Sequence, residues 1–215
     1  MATLVKPAFT FDENTHSYRD DGGIVIQSTT QALKSAGLIS FDHINPRVLE
    51  HKRNLGSLVH KVTEMWEHGE NLDDYYIPDE VWPYFNGYRK FCEDCRFEPD
   101  LVEHRQLGEC HGMRWGMTAD RTGLICGTPH VVELKCGAKH PAHGVQLASY
   151  DMGMNGKQKF MRASVQLGPD FPLGYKLFPW EDAGDYQVWL SALVCAIWKQ
   201  NHGSALEDVP ERLVG

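Results

Sequence analysis

Gly116-Met117-Thr118-Ala119-Asp120, Val131-Val132-Glu133-Leu134-Lys135 and Gln146-Leu147-Ala148-Ser149-Tyr150 fall within thirty-five residues. They supply one carboxylate, a second carboxylate with a lysine two positions on, and a glutamine with a tyrosine one helical turn on. Carboxylate oxygens hold hard divalent cations, and a fixed ammonium offsets charge on a phosphate. Two acids and one ammonium held together are therefore the side chains that magnesium-dependent hydrolysis of a phosphodiester needs.

The local pattern gives these runs a scaffold. About Leu101 to Gly108, Met113 to Ile125 and His130 to Cys136 read as strands, with turns at Gly108 to Gly112 and at Cys126-Gly127-Thr128-Pro129. If the second loop is symmetric about Gly127 and Thr128, Asp120 falls opposite Lys135 and Thr122 opposite Glu133. Cross-strand partners share a face, so Asp120, Glu133 and Lys135 project to one side, and Val132, Leu134 and Cys136 point into the core. Ala142 to about Asn155 reads as a helix with Gln146 and Tyr150 on one face.

Upstream, Phe9 to Ile26 reads as two or three short strands joined at Asp12-Glu13-Asn14 and Asp20-Asp21-Gly22-Gly23. A short helix follows, capped by Ser28 or Thr29 and ended by Gly37. Asn45-Pro46 starts a long helix that Gly69 stops, with Leu55, Leu58, Val59, Val62, Met65 and Trp66 as its apolar stripe. His60 lies roughly 150° around the wheel from that stripe. It reads either as a plain surface histidine or as a member of a site. A second helix from Pro78 or Asp79 turns Val81, Tyr84, Phe85, Tyr88, Phe91 and Cys92 inward, with Pro83 in its first turn. Downstream, Met161 to Leu167 and Leu173 to Phe178 read as strands. A last helix from about Asp182 to His202 carries Val188, Trp189, Ala192, Leu193, Cys195, Ala196 and Ile197 and stops at Gly203, with a loosely held tail after it.

A chain of 215 residues with 42% hydrophobic and 23% charged residues fits one soluble domain. We read residues 1–215 as that domain, with 1–45 as a strand-rich N-terminal extension. No apolar run approaches the roughly 18 residues of a membrane span, and the start of the chain lacks a signal-peptide core. A cytoplasmic location is expected, and the six cysteines are then free thiols. Cys92 and Cys95 form a C-x-x-C, but no second close pair completes a zinc site.

The net charge of -8 is unevenly placed. Glu64 to Glu103 holds twelve acids against Arg89, Lys90 and Arg96, whereas Leu134 to Gly168 holds Lys135, Lys139, Lys157, Lys159 and Arg162 against Asp151 alone. The basic segment begins at the candidate catalytic lysine, where a phosphate backbone would pass, so DNA is not excluded as a partner. The same segment also reads as a solvated face.

In order and spacing the chain resembles the P-D-(D/E)-x-K nuclease superfamily. Within it the likeness is to the branch of the RecB nuclease domain and of phage recombination exonucleases, and it runs from His60 to about Tyr150. In that branch a helix carries G-x-x-x-H, here Gly56 to His60. A strand carries G-x-x-D, here Gly116 to Asp120 with one extra residue, and the next carries (D/E)-x-K, here Glu133-Leu134-Lys135. The following helix carries Q-x-x-x-Y, here Gln146 to Tyr150. Ile26 to Leu33 is similar to a serine-threonine segment that often precedes the core in phage members. The iron-sulfur cysteine pattern of some RecB-like nucleases has no counterpart.

The resemblance implies an α/β, restriction-endonuclease-like core with a central mixed sheet flanked by helices. It implies a metal-dependent deoxyribonuclease, an exonuclease of recombination, repair or phage DNA metabolism, in a bacterial or phage-infected cell and with a recombination partner protein in view. Asp120 and Glu133, with the backbone carbonyl of Leu134 and the His60 imidazole, would hold Mg2+ or Mn2+. Lys135 would act on the attacking water or the transition state, with Gln146 and Tyr150 in support, and Glu103 is either a further acid of the site or structural. A structure-selective or sequence-specific endonuclease and a non-catalytic DNA-binding protein remain as alternatives on the same fold, as do single- and double-stranded DNA.

Overall fold

The structure, a computed structural model, describes residues 9–13, 15, 17–154 and 160–207. Two tight hairpins build the centre of its main sheet. Strand β4 (Phe97–Cys110) turns through His111-Gly112 into β5 (Met113–Ile125), which turns through Cys126-Gly127 into β6 (Thr128–Lys135). The four turn residues have φ of 50°, 75°, 49° and 79°, the doubly left-handed pattern of a two-residue turn whose twist matches the strands it joins.

The second turn is centred one residue earlier than the symmetric loop read from the sequence. Ile125 therefore pairs with Thr128, and Thr122 with Val131 rather than Glu133. The slip amounts to two residues along the partner strand, so side chains keep their faces. The β5–β6 ladder ends at Arg121–Val132, which leaves Asp120 and Glu133 as the next residues on the two strands.

Strand β6 leads through helix α4 (Ala142–Gly153) to β7 (Met161–Leu167), which lies parallel to β6, and β8 (Tyr175–Pro179) closes the order β4-β5-β6-β7-β8. With one parallel pair among antiparallel ones the sheet is mixed. Helices α2 (Pro46–Glu67) and α3 (Trp82–Asp94) cover one face, where Leu55, Val59, Phe85, Tyr88 and Phe91 pack on Val132, Leu134 and Val165. Helices α1 (Thr29–Ser35), α4 and α5 (Gly184–Glu207) cover the other, where Leu33, Leu147, Trp189 and Leu193 pack on Trp115, Met117 and Val131.

Local chemistry sets most helix ends where the sequence placed them. Ser28 caps α1 in a reciprocal box with Gln31, Asn45 caps α2 ahead of Pro46, and Gly37 and Gly69 take positive φ just past the two helices. Several readings change, and Leu58 of the expected α2 stripe is exposed. Helix α3 starts at Trp82, not Pro78 or Asp79, because Pro83 needs one of the first positions, where no backbone N–H is required. Helix α5 passes through Gly203 to Glu207, so that glycine is no stop; its buried stripe is Trp189, Ala192, Leu193 and Ala196, with Val188 and Cys195 exposed. Strand β4 begins at Phe97, four residues before Leu101. The tail after 207 and Lys157 and Lys159 lie outside the described residues. Among the described residues no helix is long and apolar enough to cross a membrane.

The N-terminal strands β1 (Phe9–Asp12), β2 (Ser17–Asp20) and β3 (Val25–Ile26) form a separate antiparallel sheet. It is joined to β5 where the Gly116 N–H donates to the Gln27 carbonyl at 2.9 Å. The Tyr18 ring lies directly over Gly116, and its hydroxyl meets Thr118 Oγ1 at 2.6 Å. A Cβ on Gly116 would stand 2.2 Å from that ring, so the glycine is what lets the extension dock. Gly116→Ala is expected to cost about 1–3 kcal/mol of stability, as overpacking does, measured by urea denaturation. A wild-type midpoint would show that the ring does not rest on this glycine.

Candidate functional site

Beyond Arg121 and Val132, β5 and β6 are no longer joined by backbone hydrogen bonds, and an acidic side chain takes over. Asp120 Oδ2 accepts the Leu134 N–H at 2.7 Å, so the carboxylate stands between the strands and is fixed by the backbone of its neighbour. Glu133 projects into the same region, and both acids are buried, at 6% and 3% exposure. Asp120, Glu133, Lys135, Gln146 and Tyr150 line one cavity of about 650 Å³, together with Glu103.

Glu133 Oε1 gathers two donors, Lys135 Nζ at 2.5 Å and Gln146 Nε2 at 2.8 Å. Gln146 Nε2 also reaches Tyr150 Oη at 2.7 Å, and Gln146 Oε1 accepts from Lys135 at 3.3 Å. The i, i+4 pair on α4 thus holds a carboxylate and an ammonium on β6 in fixed relation. Helix α4 is pinned in turn through Ser149, whose hydroxyl donates to the Gln146 carbonyl and meets Thr29 Oγ1 at 3.0 Å.

On the other side of Asp120 stands His60. Its Nδ1 lies 3.0 Å from Glu103 Oε1 and 3.7 Å from Asp120 Oδ1. His60, Glu103 and Asp120 each offer one ligand atom, all within 4.8 Å of one another. The set read from the sequence was His60, Asp120, Glu133 and Leu134. His60 and Asp120 are brought together, Glu103 completes the cluster, and Glu133 sits apart from it on Lys135 and Gln146. Leu134 engages Asp120 through its N–H. Glu103 holds φ of 46°, a left-handed backbone that a non-glycine residue rarely adopts, which aims its carboxylate at His60.

Beneath this cluster lies a cation that the motif reading passed over. Arg121 is fully buried, with Nη1 donating to Glu103 Oε1 at 3.0 Å and to the Asp120 carbonyl at 2.6 Å, and Nη2 donating to Thr63 Oγ1 at 2.9 Å. Its Nε lies 2.6 Å from Glu67 Oε2, an ion pair without the alignment of a hydrogen bond, and Tyr88 Oη donates to the other Glu67 oxygen. A sequence signal existed: His60, Thr63 and Glu67 form a polar stripe at i, i+3 and i+7 on a helix whose neighbours are core.

Burial and neighbouring charges shift the acids of the site in opposite directions. Burial, then the charge of Asp120, push the Glu133 carboxyl up to about 7 against the pull of Lys135. Burial also raises Asp120. Burial disfavours a charged His60, but Asp120 and Glu103 outweigh it and hold the imidazole up at about 9. Glu103 moves down despite its burial, because His60 and Arg121 stabilise its charge. Glu133 thus keeps a proton up to about pH 7 that a hard cation would replace. Glu133 Oε2, buried and without a hydrogen-bond partner among the described residues, is a further oxygen available to such an ion. Two carboxylates and an imidazole are donors that suit a hard divalent cation, and Lys135 lines the same cavity.

No family model matches the chain, and no curated protein matches it.

Arg121→Met removes the counter-charge from buried Glu67 and from Glu103. It should cost about 3–5 kcal/mol in urea unfolding, and a loss below about 1 kcal/mol would mean that the acids find other partners. Stability should also respond to pH through Glu133. The native state keeps a proton up to about pH 7 that the unfolded chain releases near 4.5, so the folded form binds more protons in between. Metal-free stability therefore falls as pH rises through that window, with a contribution approaching about 1.4 kcal/mol per pH unit. Glu133→Gln removes this contribution, and equal slopes in wild type and variant would refute it.

Proposed function

We propose that the chain is a divalent-metal-dependent deoxyribonuclease that hydrolyses phosphodiester bonds from a strand end. The observation that carries this reading is the convergence of Asp120, Glu133 and Lys135 on one cavity, with Asp120 bridging the strands where their ladder ends. The resemblance to phage recombination exonucleases favours DNA as substrate, attack at an end, and a place in recombination, repair or phage DNA metabolism.

Asp120, His60 and Glu103 would hold Mg2+ or Mn2+, with Glu133 Oε2 on the cavity side. Bound there, the ion would supply Lewis acidity and a more acidic water. Lys135 supplies a fixed positive charge toward the scissile phosphate, kept in place by Glu133 and Gln146. Gln146 and Tyr150 orient Glu133, and Arg121 keeps Glu103 ionised. Burial of these groups keeps bulk water from screening them.

The test uses end-labelled linear DNA and closed circular DNA with Mg2+ or Mn2+. Linear DNA should be degraded and the intact circle spared. Asp120→Ala, Glu133→Ala and Lys135→Ala should each lose about 10²-fold or more in rate. Undiminished cleavage in all three would overturn the site, cleavage of the circle would make the protein an endonuclease, and tight DNA binding without cleavage in any divalent metal would make it a binding protein.

A further inference from the structure

The rim of the catalytic cavity is cationic, and its cations come from elements outside the motifs. Lys34 at the end of α1 and Arg53 on α2 both line the cavity that holds Asp120 and Glu133. Both also line a second cavity of about 570 Å³, walled by Ile39, Phe41, Ile44 and Leu49. The two side chains thus form the boundary between a polar chamber lined by charges of both signs and one of mixed polar and apolar lining.

Phe41 brings them together. Lys34 Nζ lies 5.5 Å and Arg53 Cζ 5.6 Å from the centre of its ring, within range of attraction to an aromatic face. Two like charges share one aromatic plate, and neither has an acidic partner within 4.0 Å among the described residues. The acid that lines the second cavity, Asp42, already accepts from Ser40 Oγ at 2.7 Å. Both side chains are exposed and carry no acidic counter-ion among the described residues, so each can turn its charge to an anion that enters either cavity.

We infer that the second cavity is a nucleoside subsite: Lys34 and Arg53 grip a backbone phosphate next to the scissile one, and the adjoining base stacks on Phe41 between Ile39, Ile44 and Leu49. The volume lies in the range of small-ligand pockets, and the lining is what a planar, partly apolar ring requires. A base seated there has left its complementary strand, so the substrate at the site is single-stranded or locally unpaired. The inference takes its choice of DNA from the nuclease reading but not its geometry, and it assigns strandedness, which the motifs leave open.

The experiment measures fluorescence anisotropy of a fluorescein-labelled oligothymidylate, alone and annealed to its complement, in EDTA so that no cleavage intervenes. Wild type should bind the single strand at least about tenfold more tightly than the duplex, and Phe41→Ala should lose about tenfold of that affinity. Lys34→Ala and Arg53→Ala, both exposed side chains whose loss leaves the fold intact, should each reduce the slope of log affinity against log salt by about 0.7. Equal binding of duplex and single strand, or wild-type affinity and salt slope in Phe41→Ala and Arg53→Ala, would overturn the subsite. Losses in these variants from a protein that cleaves nothing would uphold the subsite and sink the nuclease reading. Metal-dependent cleavage with unaltered binding in the variants would do the reverse.

Discussion

The buried guanidinium of Arg121 is the constraint on which the site depends. A fully buried cation is costly unless its donors are matched, and here α2 supplies Glu67 and Thr63, β4 supplies Glu103, and β5 supplies its own Asp120 carbonyl. The Tyr88 ring from α3 lies 5.8 Å away and adds an aromatic face. These partners fix the position of α2 against the sheet to within a hydrogen bond, and with it the position of His60. The left-handed backbone at Glu103 costs on the order of 1–3 kcal/mol, which the salt link to Arg121 and the contact with His60 offset. The candidate ligands are thus held by a network that reaches no solvent on its inner side.

The second constraint is the end of the β5–β6 ladder. A continuous ladder would satisfy the Leu134 N–H by backbone and leave no room between the strands. Asp120 takes that N–H instead, so one carboxylate oxygen is spent on structure and the other faces His60. Helix α4, the connection between parallel β6 and β7, lies on the sheet face where Gln146 reaches Glu133. Gly153 allows the same helix to close on β4 and β5 at its far end, since a Cβ there would meet Met117 Sδ at 2.5 Å. The bridging acid follows from the break in the sheet, and the crossover helix from the parallel pairing of β6 and β7.

Periodicity and turn chemistry made most elements legible, because helix caps, glycine stops and hairpin turns are local. Asp120, Glu133, Lys135, Gln146 and Tyr150 were legible because parity within strands and i, i+4 spacing within a helix survive a misplaced turn: the β5–β6 loop was centred one residue late, and every face stayed correct. Arg121, Glu67 and the aim of Glu103 were not legible in the same way. Their roles depend on which helix lies across which strand: the stripe of His60, Thr63 and Glu67 marks a polar seam on α2, but its spacing does not say which strand or cation meets it. Gly203 does not stop α5, which runs through it to Glu207, because a glycine lowers helix propensity by only about 1 kcal/mol and does not by itself end a helix.

Charge was legible least of all, for a related reason. A basic segment from Leu134 to Gly168 suggested a path for phosphates, yet Lys34, Arg53 and Arg105, which line the cavity with Lys135, come from α1, α2 and β4. Arg105 stands 4.5 Å over the Phe11 ring, so a cation and an aromatic meet on the N-terminal side of the mouth as they do at Phe41. A net charge of -8 then says little about partners. Screening over about 8 Å at physiological salt means that a phosphate at the cavity feels the cations that line it more than acids beyond that distance. In the proposed reading the acids of the cavity and the cations beside them divide two tasks, holding a metal and holding a polyanion, that the same charges could not perform together.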